Sequence, residues 1–171
     1  EIWKLLTRLL TESPDKGLQV RGQELLEDLD SGEWDTGDDL DPEIDTILIG
    51  DFMDCLVKSS SDVKGAERAL QIFDVLRSLN VRGKSQVVPA THHYAIAMNA
   101  HIMQSARDSG EKAEQLLRDM WKSYEKGNKA AAPNVLCYNT VIKAWSKSRS
   151  RDAGERAETF ISEMWRKSRS F

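Results

Sequence analysis

Glu67-Arg68-Ala69, Glu111-Lys112-Ala113 and Glu155-Arg156-Ala157 recur along the chain at one interval: 111 − 67 = 44 and 155 − 111 = 44. Single positions keep the same step, as with Pro89 and Pro133, Tyr94 and Tyr138, Ala100 and Ala144. Apolar positions keep it too: Phe73, Leu117 and Ile161, then Leu76, Met120 and Met164. Self-similarity at a fixed period of this size is the mark of stacked structural repeats, in which no unit buries its apolar face alone. The expected fold is therefore all-α, an α-solenoid of about four stacked antiparallel helix-turn-helix units. Function is then to be sought on a surface repeated along the stack.

The phase runs backwards more faintly, from Glu67 to Gln23 within Gly22-Gln23-Glu24-Leu25-Leu26. The units are approximately 1–46, 47–90, 91–134 and 135–171, forming one domain over 1–171. Each reads as two helices. In the last unit, Leu136, Val141, Ile142 and Trp145 fall at helical spacing after Asn134, a residue type suited to capping a helix. A second helix opens near Gly154, with Ala157, Phe160, Ile161 and Met164 on one stripe and Glu155, Arg156, Glu158 and Arg166 largely opposite. The same pattern predicts helices over Thr91–Ser105 and Glu111–Lys126, over Ile44–Lys58 and Val63–Leu79, and over about Glu1–Leu10 and Gly17–Asp30. The chain opens without methionine on Ile2-Trp3-Lys4-Leu5-Leu6, a helix in progress, and is expected to be part of a longer protein.

Composition is that of an ordinary helix-rich protein, 40% apolar and 30% charged. No stretch approaches the ~20 apolar residues of a membrane span, so no membrane insertion is expected. Cys55 and Cys137 lie far apart with no CxxC spacing, and read as buried free thiols. His92, His93 and His101 are not spaced as a metal set, and no metal or cofactor is expected. No nucleophile–base pair, phosphate loop or paired carboxylate recurs, which argues against an enzyme. The net charge of −4 conceals a split. Residues 1–50 hold 14 acids and 4 bases, for −10, and residues 51–171 hold 14 acids and 20 bases, for +6. The basic part is compatible with a polyanion, whereas the acidic run Glu27–Asp45 reads as a solvated loop or a dock for a basic partner.

The run Pro133-Asn134-Val135-Leu136-Cys137-Tyr138-Asn139-Thr140-Val141-Ile142 resembles the opening of a pentatricopeptide repeat. The stretch from Glu155 to Met164 is similar to that family's second-helix pattern of Glu-Ala, Leu-Phe and Met. The unit at 91–134 matches at Tyr94, Ala113, Leu117, Met120 and Pro133; the one at 47–90 matches mainly in its second helix, and the first only by phase. The family's usual unit is about 35 residues, and the excess here falls in both connections, leaving the helices intact. The tetratricopeptide repeat, its nearest competitor at about 34 residues, has a first-helix Trp/Leu-Gly/Tyr pattern that is missing here.

The resemblance implies a right-handed superhelix whose first helices line a groove for single-stranded RNA, about one base per unit, in an organelle (mitochondrion or plastid), without catalysis. It places base readers at Asn139, Ala95 and Asp51, closing readers at Asn134 and Ala90, and sandwiching residues at Leu136, His92 and Leu48. Asn139 has an amide able to discriminate a base edge, and in the family Asn there favours a pyrimidine. Ala95 and Ala90 cannot hydrogen-bond a base, and Asp51 would repel phosphate. Lys143, Lys147, Arg149 and Arg151 could contact phosphates. Asn134 is equally a helix cap, whereas for Asn139 contact with RNA is favoured over a hydrogen bond to the neighbouring unit. The alternative partner is protein: a helical scaffold docking subunits of a ribonucleoprotein or ribosome assembly.

Overall fold

The computed structural model describes residues 42–59, 63–81, 88–104 and 107–167. Six α-helices occupy them, with no strand among the described residues: α1 Pro42–Ser59, α2 Val63–Val81, α3 Thr91–Met103, α4 Ser109–Glu125, α5 Val135–Lys147 and α6 Ala153–Lys167. The two helices expected within 1–46 lie outside the described residues. The remaining boundaries fall within about two residues of the expected ones.

Local chemistry accounts for the starts and stops. Pro42 occupies a first-turn position, where its missing N–H is no loss. Asn134 caps α5 through its side-chain oxygen, which accepts from Cys137 N–H at 3.2 Å. Ala90 cannot cap α3 that way; its own N–H instead donates to Nδ1 of His93 at 3.0 Å. After α4, Gly127 turns the chain at φ 107°, a conformation open to glycine at little steric cost. A short 3₁₀ turn, Lys129–Ala131, follows.

The helices pair as hairpins, α1 with α2, α3 with α4 and α5 with α6. Each second helix also packs on the first helix of the next unit, α2 on α3 and α4 on α5. The first helices touch each other directly, α1 on α3 and α3 on α5, whereas second helices barely meet. An open groove of ≈ 460 Å³ separates α4 from α6, lined among others by Trp121, Tyr138 and Phe160.

One apolar core runs through all three hairpins, with Met53, Phe73, Met98, Met120, Tyr138 and Val141 fully enclosed. Burying each such side chain contributes about 1.5–3 kcal/mol. Phase-related tyrosines sit alike: Tyr94 meets Phe73 edge-on at 5.0 Å, and Tyr138 accepts a hydrogen bond from Trp121 Nε1 at 3.0 Å. Arg77 of α2 pairs with Asp119 of α4 at 3.1 Å. The long connection after α4 is clasped to the unit before it. Asn128 donates to Pro89 O at 2.8 Å, and Thr91 Oγ1 lies 2.8 Å from Ala132 O.

Two expectations need correction. Cys137 is buried, but Cys55 is exposed. It falls one helical turn from exposed Asp51, on the face of α1 opposite Met53 and Leu56. Ile161, expected on the buried stripe of α6, is 40% exposed, although Phe160 beside it is buried.

Candidate functional site

The exposed side of α5 collects four of the residues singled out in the sequence. A helix returns to the same face every three or four residues, so Leu136, Asn139, Lys143 and Lys147 form one stripe. All four are exposed, Leu136 at 61%. The opposite side of the same helix, Cys137, Tyr138, Val141, Ala144 and Trp145, is buried and fixes the stripe's direction.

The Asn139 side chain makes no hydrogen bond among the described residues, so the proposed contact to a neighbouring unit is not formed there. Both its carbonyl and its amide hydrogens face solvent and can address a base edge or a peptide group. Asn134 sits at the N-terminal end of the stripe. Its Oδ1 is committed to the cap and also lies 3.3 Å from Cys137 Sγ; no described contact engages its Nδ2. Arg149 and Arg151 are exposed just beyond the far end, with Arg149 in the left-handed region at φ 54°. The stripe thus runs from amide to apolar side chain to amide to two ammonium groups, a pattern suited to an aromatic base followed by phosphate.

The equivalent positions of the earlier units differ. Ala95, 44 residues before Asn139, is only 7% exposed, and Ala90 is buried as well. Asp51, a further 44 back, is exposed and carries the opposite charge to the lysines of α5. The side chain of Leu48 lies outside the described residues. His92 is partly engaged: its Nε2 lies 3.3 Å from Thr46 O, and its ring rests 3.9 Å from that of His93. A Cβ on Gly50 would stand 2.2 Å from the His92 ring, so the imidazole depends on that glycine for its place.

Gly50 is a signal the sequence reading passed over. It occupies the position that Tyr94 and Tyr138 hold in the next units, since 94 − 50 = 44. A glycine where the phase calls for a tyrosine leaves room, and the neighbouring unit's histidine fills it. Behind His92, His93 is fully buried with Nε2 unpartnered. Burial, and then the charge of His92, push its pKa down to about 3. Burial likewise raises the Cys137 thiol, which is thus held protonated and unreactive.

Among the described residues no group of three His, Cys, Asp or Glu side chains is placed to hold a metal ion. No helix there is long and apolar enough to cross a membrane. No protein-family model matches this chain, and no curated protein or solved structure matches it either.

Proposed function

We propose that this chain is a stack of pentatricopeptide-type hairpins, wound as a right-handed α-solenoid, that holds single-stranded RNA along its first helices without chemistry. The observation that carries this reading is the α5 stripe: an exposed, unpaired Asn139 amide between exposed Leu136 and the ammonium groups of Lys143 and Lys147. Packing adds support. First helices that touch while second helices stand apart give a stack that curves toward its first-helix side, as a groove for a strand requires. Occupancy of a transcript would then protect or present it in RNA processing, stability or translation. The organellar setting rests on the resemblance alone.

Binding of a randomised single-stranded RNA pool at two salt concentrations tests the reading. The expected outcome is enrichment of a preferred sequence, with log affinity falling by about 0.7 per phosphate for each unit of log salt. Asn139→Ala should cost about 1 kcal/mol, roughly fivefold in affinity. Absence of binding at low salt overturns it.

A second reading has its own observation. Two of the three reader positions, buried Ala95 and acidic Asp51, offer nothing to a base, while Ile47, Met103, Val135 and Leu136 leave apolar surface exposed on the first helices. A scaffold docking a protein partner would use that surface and would tolerate Asn139→Ala.

A further inference from the structure

We infer that the groove between α4 and α6 is a seat for an arginine side chain of a protein partner, held by the carboxylate of Glu163 and the rings of Trp121 and Tyr138. The inference is independent of the RNA reading. The groove's sides are α4 and α6, and Tyr138, from the buried side of α5 opposite the Leu136–Asn139 stripe, joins its lining. Second helices of this chain are twice joined by one device. Arg77 of α2 meets Asp119 of α4 at 3.1 Å, its guanidinium carbon 5.7 Å from the ring centroid of Phe73. Arg156 of α6 approaches buried Glu114 of α4 at 3.7 Å and lies 5.8 Å from the centroid of Trp145. Each sets a guanidinium between a carboxylate and an aromatic ring, an arrangement that suits its planar, weakly hydrated head.

The groove has the carboxylate and the rings of a third such site but not the arginine. Phase accounts for the difference. Glu163 is the phase-mate of Asp119, since 163 − 119 = 44, but Trp121 stands where the earlier seam has Arg77, since 121 − 77 = 44. Trp121 turns instead to Tyr138, donating to its hydroxyl at 3.0 Å. The bases that line the groove are already committed: Arg118 and Arg156 to Glu114, and Lys122 to Asp119 at 3.7 Å. Glu163 and Glu125 line it with no ion pair among the described residues, so its uncompensated charge is negative. A volume of ≈ 460 Å³ open to solvent has room for the alkyl stem as well as the head. An arginine is a better match than a lysine, because its fork can pair with the carboxylate while its face lies on a ring.

The test is a titration of the isotope-labelled chain, followed by NMR, with a short glycine–serine peptide carrying one central arginine. The peptide should shift the indole N–H signal of Trp121 saturably and leave that of Trp165 in place. Its lysine counterpart should bind about threefold more weakly or worse. Glu163→Gln should weaken the arginine peptide about tenfold, as expected for loss of a charge-assisted contact. Glu158→Gln makes the same charge change at an exposed position of α6 outside the groove lining and should leave the affinity unchanged. Trp121→Arg restores the residue found in the earlier seam; it should pair with Glu163 and abolish binding, read from the Glu163 amide. Equal losses from the two glutamine variants, or equal affinity for the arginine and lysine peptides, would mean diffuse charge attraction and overturn the inference. So would an unmoved Trp121 signal at millimolar peptide, or a shift produced by a uridine hexanucleotide in place of the peptide.

Discussion

Gly110 and Gly154 occupy the same place in consecutive units, yet their surroundings demand opposite responses to a methyl group. A Cβ on Gly110 would lie 2.5 Å from Cδ2 of Trp145, whose ring is itself buried and has no free side to move toward. At Gly154 nothing stands within 4 Å. Gly110→Ala should therefore destabilise the chain by about 1–3 kcal/mol through overpacking. Gly154→Ala should stabilise it by up to about 1 kcal/mol, because alanine restricts the unfolded helix segment more than glycine does. Urea midpoints of the two variants decide the matter; a shared sign would mean the Trp145 seam is not packed as described. His93 yields a prediction of another kind. Its pKa, about 3 when folded against an ordinary 6.5, means the unfolded chain binds the proton more readily. Stability contributed by the neutral ring is present above pH 6.5 and declines as pH falls from 6.5 toward 3, by at most about 1.4 kcal/mol per pH unit. His93→Asn keeps an acceptor for Ala90 N–H and removes the titration, so stability measured from pH 7 to 4 should fall less steeply in the variant. Parallel slopes would contradict the assignment. The repeating Ala, Tyr and Met positions were legible from phase alone, because stacking imposes the same burial in each unit. The His92–Gly50 contact was not, since it exists only where one unit departs from the pattern.

At the scale of the elements, the first helices share a fold and differ in what they present. α5 opens on a capping asparagine, α3 on an alanine whose N–H is taken by His93 instead. This bears on function, because Asn134 suits both a cap and a base reader. Serine also caps well but has no amide to offer a base. Asn134→Ser should retain thermal stability, whereas Asn134→Ala should lose about 1 kcal/mol. If the residue also reads RNA, both variants should lose sequence preference; if it only caps, the serine variant should bind like the parent. Melting curves and RNA competition on the same two proteins separate the cases. Helix identity and spacing were readable here because apolar periodicity is a local property of the chain. Exposure was less so. Cys55, expected inside, lies outside, and Ile161 is half uncovered, because burial depends on which neighbouring helix arrives and a single helix's pattern does not name it.

Across the described residues, the 44-residue phase translates into an order of contacts: hairpin, then seam, then hairpin, with first helices in fuller contact than second helices. The long connections lengthen the unit without breaking this order, since Asn128 and Thr91 tie the loop after α4 to the unit before it. Charge divides along the sequence. Acid dominates residues 1–50, and Lys143, Lys147, Arg149 and Arg151 cluster near α5, so any polyanion should engage the C-terminal hairpins first. The candidate groove was legible only in its last unit, where Asn139 stands exposed; Ala95 and Asp51 leave the earlier units without a reader whatever their packing. The most direct test of the central claim is photo-crosslinking of bound single-stranded RNA, with the crosslinked residues mapped by mass spectrometry. The account predicts crosslinks on the α5 stripe, at Leu136, Asn139, Lys143 or Lys147, and none at the exposed Trp165 of α6. Crosslinks confined to α4 and α6, or none at low salt, would contradict it.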